Sequence, residues 1–265
     1  MPRKTVLITG ATGNIGLKVR AHFSTLGWNQ VAIDKSQRAN SEIIRADISK
    51  YDKTWSRHFE NVDAVVHLAA NPAPWAGWKN VYDNNYLATE NVLRAAMEHR
   101  VKRFVFASSN WVMAGYRSGT ERLTTSLHPR PINYYGLSKL HGERLGLHYA
   151  DRGLSFIALR IGWCPSISSR HAGPHLWSRW DQSKWLSARD LCQAMERSVS
   201  SENIDYSVLN LMSANPDMRW DISETMQQIG YAPQDSHQSV VTPRVFAAEV
   251  REKYRYSLAT IRLRQ

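Results

Sequence analysis

The sequence predicts an α/β fold, a doubly wound parallel sheet followed by a small C-terminal lobe. Apolar strand-like segments alternate with amphipathic helical segments over the first 160 residues. This alternation is typical of a parallel sheet that helices cover on both faces. The first strand-like segment runs directly into a glycine-rich turn, and the segment Val62–Leu68 is apolar over most of its length, as strands buried on both faces are.

The predicted elements follow one another without a repeat or an obvious linker. Ile15, Val19, Phe23 and Leu26 recur at helical spacing after the glycine-rich turn, so a helix is expected there. The same criteria predict further helices over residues 78–100, 135–151, from about 187, 221–229 and 242–254. Strands are expected at residues 4–9, 30–33, 42–46, 62–68, 103–107, 155–160 and 206–212.

Length and composition limit the classes of protein to which this chain can belong. The chain has 265 residues, 43% of them hydrophobic, and two cysteines, too few for a disulfide framework or a four-thiolate metal site. No histidine or carboxylate spacing resembles a metal site, so no metal is predicted. No apolar run approaches the roughly 20 residues of a membrane span, and no signal peptide precedes the first strand. We therefore expect a cytoplasmic protein without membrane partners.

The formal net charge of +11 is the unusual global property. The basic residues are spread along the chain, whereas nucleic-acid-binding tails concentrate them in runs. We therefore expect no nucleic-acid partner, and either an anionic small molecule or solubility explains the charge. Four tryptophans fall close together in the sequence and could form either core or the wall of a ligand pocket: Trp163, Trp177, Trp180 and Trp185.

The glycine-rich turn has the context of a dinucleotide-binding loop. It follows the first strand and opens the first helix, the Rossmann-type order. Gly10 would permit the tight turn, Gly13 would let the backbone approach a pyrophosphate, and Gly16 would let the helix pack close to the strand. Phosphates would then bind at the helix N-terminus, at Asn14 and Ile15.

Asp34 ends the second strand, about 20 residues after the glycine turn. A carboxylate there accepts hydrogen bonds from both ribose hydroxyls and repels a 2′-phosphate, which favours NAD over NADP. Lys35 and Arg38 lie nearby and could weaken this preference. The other residues expected to bind the cofactor are Asp47, Ile48, Leu68, Ala69, Ala70 and Asn85.

Tyr135 and Lys139 are four residues apart, so on a helix their side chains lie on one face. A phenol titrates near pH ~10, and a nearby ammonium lowers its pKa, which makes the phenolate available as a base. Alone, this spacing arises readily by chance. Ser109 and Asn110 follow the fifth strand, and ligands of open parallel sheets bind beyond the carboxyl ends of the strands.

Together these motifs resemble an extended short-chain dehydrogenase/reductase of the NAD-dependent epimerase/dehydratase superfamily. The resemblance rests on the glycine turn, Asp34, the strand-end serines and the single Tyr135-x-x-x-Lys139 motif, in order and at matching intervals over nearly the whole chain. Segments 106–110, 130–139, 160–162, 213–215 and 230–235 are similar, more closely, to uronate dehydrogenases and their relatives.

The resemblance implies an NAD-dependent enzyme that oxidises the anomeric carbon of a free sugar acid to its lactone. Ser109, Tyr135 and Lys139 are its implied catalytic residues, and Asn110 is its implied substrate contact. Tyr135 and Lys139 are also expected to bind the cofactor. Trp111, Trp163 and Pro72 replace a histidine and two serines of the group's pattern, and the segment between Cys164 and Trp185 is about ten residues longer than usual. The expected substrate-binding residues are Asn71, Ser109, Asn110, Trp163, Arg170, His171 and Arg179.

Because the changed positions add indoles and cations, the expected substrate is an anionic hexose: a uronate, sulfoquinovose or a hexose 6-phosphate. Residues 1–160 are predicted to form the NAD-binding core, and residues 161–265 a small substrate-binding lobe interleaved with it in a single structural unit. The short C-terminal part favours a free sugar over a nucleotide sugar. The alternatives are a sugar epimerase or dehydratase with retained NAD and a non-enzymatic dinucleotide-binding regulator. We expect a homo-oligomer.

Overall fold

A computed structural model describes residues 3–36, 42–166 and 178–251. Within these ranges seven strands form one sheet in the order β3-β2-β1-β4-β5-β6-β7, and every neighbouring pair is parallel. The predicted α/β fold is thereby confirmed. The strands are β1 Thr5–Thr9, β2 Asn29–Asp34, β3 Ile43–Arg45, β4 Ala64–His67, β5 Arg103–Ser109, β6 Ser155–Ile161 and β7 Tyr206–Leu211.

Helices cover both faces of the sheet. The helices α1 and α7 contact each other, and their buried residues Val19, Phe23, Leu191 and Met195 belong to one core cluster. The helices α4 and α5 lie over the second cluster, which contains Phe104. The helices are α1 Asn14–Thr25, α2 Lys53–Ser56, α3 Trp78–Val81, α4 Ala88–Glu98, α5 Tyr134–Ala150, α6 Arg179–Ser183, α7 Ala188–Ser200 and α8 Ser223–Ile229, and residues 243–251 are also helical.

The order of the strands determines where a ligand can bind. The chain builds β1, β2 and β3 in one direction and then returns to place β4 on the other side of β1. A crevice forms outside the carboxyl ends of the strands at such a reversal. The glycine turn after β1 and Leu68–Asn71 after β4 therefore flank this crevice.

The helix expected over residues 78–100 is not a single regular helix. The structure has α3, then a π-helical segment Tyr82–Leu87, and then α4. A π-helical segment widens the turn and changes the direction of the side chains within it, and such segments are frequent at functional sites. Here the widened turn contains Asn84 and Asn85, which lie beside the crevice.

The C-terminal part of the chain is joined to the sheet. The strand β7 pairs with β6 over Tyr206–Leu211, and the buried side of α7 contacts α1 and β5. Short 3-10 helices connect several elements, including Asn110–Tyr116 directly after β5. No helix in the described part of the chain is long and apolar enough to cross a bilayer.

Candidate active site

A cavity of about 700 Å³ opens at the carboxyl ends of the central strands. It extends from Asp34 at the end of β2, past the glycine turn, to Ser109 at the end of β5 and Tyr135 on α5. Of the residues predicted to bind the cofactor, all except Asn85 line this cavity: Gly10, Gly13, Asn14, Ile15, Gly16, Asp34, Asp47, Ile48, Leu68, Ala69, Ala70, Tyr135 and Lys139. Their roles in binding stay predictions.

The glycine turn is shaped by two close approaches of the backbone. Gly10 has a φ of +67°, and a Cβ there would lie 2.7 Å from the backbone nitrogen of Ala69. A Cβ on Gly16 would lie 2.3 Å from the carbonyl oxygen of Gly10, so only glycine lets α1 start so close to β1. No side chain of the described residues caps the first turn of α1. Its N–H groups suit a phosphate.

Asp34 is fixed at the far end of the cavity. Its carboxylate accepts hydrogen bonds from the backbone nitrogens of Thr12 and Ser36, both at 2.9 Å. Burial alone would raise the pKa of Asp34, but the hydrogen bonds from Ser36 and Thr12 outweigh it and hold the pKa below its ordinary value. Asp34 is therefore an anion at neutral pH. Lys35 forms an ion pair with Asp47 at 3.1 Å.

Asn85 does not line the cavity, but its hydrogen bonds connect two of the segments around it. Its amide oxygen accepts a 2.8 Å hydrogen bond from the backbone nitrogen of Asn71, and its amide nitrogen donates to Ser138 Oγ at 3.0 Å. It thus ties the segment after β4 to α5. Its neighbour Asn84 lines the cavity. The sequence alone could not separate the two asparagines, because the π-helical turn decides which one faces the crevice.

The three residues predicted to be catalytic meet at one end of the cavity. Ser109 ends β5, and an interaction between its hydroxyl and the Tyr135 phenol lowers the pKa of that phenol in part. The Lys139 Nζ lies 5.7 Å from the centroid of the Tyr135 ring and 5.0 Å from that of Phe106. Asn133 caps α5 by accepting a 2.7 Å hydrogen bond from Gly136 N, which fixes where the helix begins.

The pKa values of the pair differ from the expectation. Burial raises the pKa of Tyr135 above its ordinary value, and the hydrogen bond with Ser109 only partly offsets this. Burial also lowers the pKa of Lys139 to about 7. The predicted net lowering of the Tyr135 pKa is therefore wrong for the protein without cofactor. Burial disfavours both the phenolate of Tyr135 and the ammonium of Lys139. A further positive charge beside Tyr135 would favour the phenolate.

A buried ion pair anchors α5 to the sheet. Arg160 on β6 donates two hydrogen bonds to Glu143 on α5, at 2.9 and 2.8 Å, and both side chains are 3% exposed. Ser108 Oγ donates a third hydrogen bond to the same carboxylate at 2.5 Å. Glu143 lies one helical turn after Lys139, so these contacts position the helix that carries Tyr135.

Only some of the residues predicted to bind the substrate line the cavity. Asn71 and Ser109 line the cavity. Asn110 is buried and its amide nitrogen donates to the Ile161 carbonyl, so it links β5 to β6 and does not line the cavity. Arg179 is also elsewhere: it forms an ion pair with Glu249 and lines a second cavity. Arg170 and His171 lie outside the described residues.

Trp163 forms a β-bridge with Trp185 directly after β6. The sequence left open whether the other tryptophans form core or the wall of a ligand pocket. Trp180 is buried and also lines the second cavity, so it belongs to both core and pocket wall. Trp177 lies outside the described residues. Within the described ranges no cluster of three or more histidine, cysteine or carboxylate side chains could hold a metal ion.

Sequence reasoning missed several residues of the site. Thr12, Ser36, Ser49 and Asn84 line the cofactor cavity, and their only signal was their place next to predicted residues. Arg117 and Lys184, which were not predicted, lie near the indole of Trp111, and Arg117 lines the second cavity.

The glycine turn, the uncapped helix N-terminus and the carboxylate of Asp34 along one continuous cavity fit a dinucleotide. Residues 6–175 match the family described as the NAD dependent epimerase/dehydratase family. The chain belongs to this family. Its membership accounts for the order of the glycine turn, the strand-end serine and the Tyr135-x-x-x-Lys139 motif along the chain.

Among relatives within this family, the L-arabinose 1-dehydrogenase (NAD(P)(+)) of Haloferax volcanii is 36% identical over 89% of this chain and 98% of its own length. The NAD-dependent glucose-6-phosphate dehydrogenase of the same organism is 31% identical over 87% of this chain and 93% of its own. The crystal structure of uronate dehydrogenase from Agrobacterium tumefaciens is 26% identical, with a TM-score of 0.77 over 96% of this chain and 89% of that one.

Proposed function

We propose that this protein oxidises the C1 hemiacetal of a free anionic hexose to its lactone, with reduction of NAD. The broader class, an NAD-dependent sugar 1-dehydrogenase, follows from the sugar dehydrogenases to which the chain is similar over most of its length. The anionic hexose is the finer part of the proposal. In the balanced reaction, one sugar and one NAD⁺ give one lactone, one NADH and one proton.

The observation that carries the proposal is the convergence of Ser109, Tyr135 and Lys139 at the end of a cavity that begins at Asp34. The glycine turn, α1 and Asp34 would hold the dinucleotide. When bound, NAD would supply the hydride acceptor and a positive charge. That charge would favour the phenolate form of Tyr135, whose pKa burial raises.

The side chains then have distinct tasks. The Tyr135 phenolate accepts the proton of the C1 hydroxyl, as a general base held by α5. Ser109 donates a hydrogen bond to the same oxygen and stabilises the charge that develops on it. Lys139, buried one turn after Tyr135, adds positive charge while it is protonated. The proton leaves through these groups to solvent.

An anionic substrate is supported by the relatives and by the charge of the chain. Two of the comparisons are with enzymes named for glucose 6-phosphate and for uronate, and the chain carries a formal net charge of +11. L-Arabinose, which names a third relative, is a neutral pentose. Galacturonate has the same configuration at C2 to C4 as L-arabinose and adds a carboxylate, so the two sugars form a matched pair.

The experiment is an NADH-formation screen with purified protein, NAD and a panel of sugars: glucuronate, galacturonate, sulfoquinovose, glucose 6-phosphate, glucose, xylose and L-arabinose. We expect stoichiometric NADH and lactone with at least one anionic sugar, at a higher kcat/KM than with its neutral counterpart. Turnover without net NADH would instead indicate an epimerase or dehydratase. The absence of NADH with every sugar would contradict the proposed reaction.

A further inference from the structure

Three asparagine side chains are joined by hydrogen bonds at the edge of the cavity. They are Asn71 after β4, Asn80 on α3 and Asn84 in the π-helical segment. Asn71 and Asn84 line the cavity, whereas Asn80 is exposed. No step of the proposed reaction involves Asn80 or Asn84.

A backbone partner fixes the orientation of the Asn84 amide. Its nitrogen donates a 2.8 Å hydrogen bond to the backbone carbonyl oxygen of Asn80. Because a carbonyl oxygen can only accept a hydrogen bond, the nitrogen of the Asn84 amide and not its oxygen must lie at this position. The same nitrogen donates to Asn80 Oδ1 at 3.2 Å, so both of its hydrogens are used.

The Asn80 amide is oriented in the same way through Asn71. The backbone nitrogen of Ala73 donates to Asn71 Oδ1 at 2.9 Å. The Asn71 amide nitrogen is therefore the atom that contacts Asn80, and it donates to Asn80 Oδ1. Asn80 Oδ1 thus accepts hydrogen bonds from both Asn71 and Asn84. Since each of these bonds has only one possible direction, the network holds the Asn84 amide in one orientation.

The amide oxygen of Asn84 is the atom that remains for a ligand. No group in the described ranges donates a hydrogen bond to this oxygen, and it is not one of the buried polar atoms that lack a partner, so it is open to solvent. Asn84 itself lines the cavity. A neutral amide oxygen accepts hydrogen bonds from hydroxyl or N–H groups and does not attract a carboxylate or a phosphate. It therefore suits the uncharged part of a sugar.

Asn85, the next residue, ties Asn84 to the end of the cavity that contains Tyr135. The Asn85 amide nitrogen donates to Ser138 Oγ at 3.0 Å, and Ser138 Oγ donates to the Tyr135 carbonyl oxygen at 2.7 Å. In the proposed reaction the sugar binds beside Tyr135, and its ring carries several hydroxyl donors. Asn84 therefore belongs to the part of the cavity that would receive the sugar.

We propose that the Asn84 amide oxygen accepts a hydrogen bond from one ring hydroxyl of the sugar, and that Asn80 is the positioning residue that holds this oxygen towards the cavity. This inference rests on the proposed function and adds a residue that selects the hydroxyl pattern of the ring. It is independent of the anionic group, because a neutral acceptor binds a hydroxyl in anionic and neutral sugars alike.

The test uses the sugar with the highest kcat/KM in the NADH screen and its 2-deoxy, 3-deoxy and 4-deoxy analogues. We expect the wild-type protein to discriminate against at least one analogue. Asn84→Leu should reduce the discrimination against one of them by about 3- to 10-fold, the effect of one neutral hydrogen bond. Asn80→Ala should reduce the same discrimination by a smaller factor, because the backbone carbonyl of residue 80 still contacts Asn84.

Asn29→Leu is the matched control. Asn29 is exposed at the start of β2, away from the carboxyl ends of the strands. The same substitution there should leave every ratio of kcat/KM between the sugar and its analogues unchanged.

Equal losses of kcat/KM with the sugar and all three analogues would show that Asn84 has only a structural role, which would overturn the assignment. A higher KM for NAD with unchanged sugar ratios would assign the oxygen to the cofactor and overturn it as well. If Asn84→Leu does not fold, Asn80→Ala decides the question, because it replaces an exposed side chain. The absence of NADH with every sugar would refute the proposed function itself.

Discussion

The carboxylate of Glu143 and the guanidinium of Arg160 form a two-point ion pair inside the protein, at 2.9 and 2.8 Å. The pair joins the helix that carries Tyr135 and Lys139 to β6. The Tyr206 hydroxyl donates to the backbone carbonyl of Glu143 at 3.0 Å, which adds a contact from β7. The position of α5 therefore depends on an ion pair that lies outside the cavity.

We predict that Glu143→Leu lowers the free energy of unfolding by about 3 to 5 kcal/mol, because it leaves the buried Arg160 charge without its carboxylate. Urea unfolding of the wild type and the variant measures this. The double substitution Glu143→Leu with Arg160→Met removes both charges and should cost less than Glu143→Leu alone. A loss below about 1 kcal/mol for the single variant would show that water reaches Arg160.

Tyr135→Phe should reduce kcat for sugar oxidation by at least about 100-fold, since it removes the proton acceptor. The affinity for NAD, measured by calorimetry, should change little because the ring remains in the cavity wall. Ser109→Ala should have a smaller effect, since it removes a hydrogen bond and leaves the base. Wild-type rates in Tyr135→Phe would exclude this phenol as the base.

Asp34 should set the choice between NAD and NADP. Asp34→Asn keeps the size of the side chain and removes its charge, so the repulsion of a 2′-phosphate is lost. We expect the ratio of kcat/KM for NAD to that for NADP to fall by about 10-fold or more, given that a charge-assisted hydrogen bond is worth about 1.5–3 kcal/mol. An unchanged ratio would mean that another residue of the cavity sets the choice between the two cofactors.

The stability of the protein should depend on pH through Lys139. Burial lowers the pKa of Lys139 from 10.5 to about 7 in the folded state, so above pH 7 the unfolded chain binds a proton that the folded chain does not. The free energy of unfolding must therefore rise with pH from about 7 towards 10.5. Because burial raises the pKa of Tyr135, ionisation of the unfolded phenol opposes this only above pH ~10.

We predict that urea midpoints measured without added cofactor rise more steeply for the wild type than for Lys139→Met between pH 7 and about pH 9.5. The Met variant provides the baseline, since every other titrating group is shared. Parallel midpoints across this window would mean that Lys139 is protonated in the folded protein at alkaline pH.

One exposed surface of aromatic and apolar side chains is a candidate interface of the expected homo-oligomer. Trp78, Tyr82, Tyr134 and Leu137 are 37% to 48% exposed, and Trp78 contacts both tyrosine rings. We expect gel filtration to give a mass above that of one chain, and Trp78→Glu to shift it towards the monomer. A monomeric wild-type protein would contradict the expectation.

The sequence predicted those features that depend on local patterns. The alternation of strands and helices, the glycine turn after β1 and Asp34 at the end of β2 are set by neighbouring residues, so each appears where it was expected. The joint spacing of Ser109, Tyr135 and Lys139 predicted that these side chains meet at the carboxyl end of β5. These residues indeed converge in one cavity.

The features that the sequence did not predict depend on packing between distant segments. A π-helical turn decides whether Asn84 or Asn85 faces the cavity. The two adjacent asparagines do not indicate in the sequence that the turn is widened. Lys184 lies near Trp111, and the residue after it forms a β-bridge with Trp163, so both contacts join segments that are distant in the sequence. The pKa of Tyr135 depends on how deeply it is buried, which spacing along a helix does not specify.

The most direct test of the proposed reaction uses an anionic sugar that is oxidised in the screen and carries deuterium at C1. Mass spectrometry of the reduced cofactor and of the sugar product follows the label. The proposed reaction predicts one deuterium in each molecule of reduced cofactor, an unlabelled lactone as product, and loss of both in Tyr135→Phe. Reduced cofactor without deuterium, or a product that retains it at C1, would contradict oxidation at the anomeric carbon.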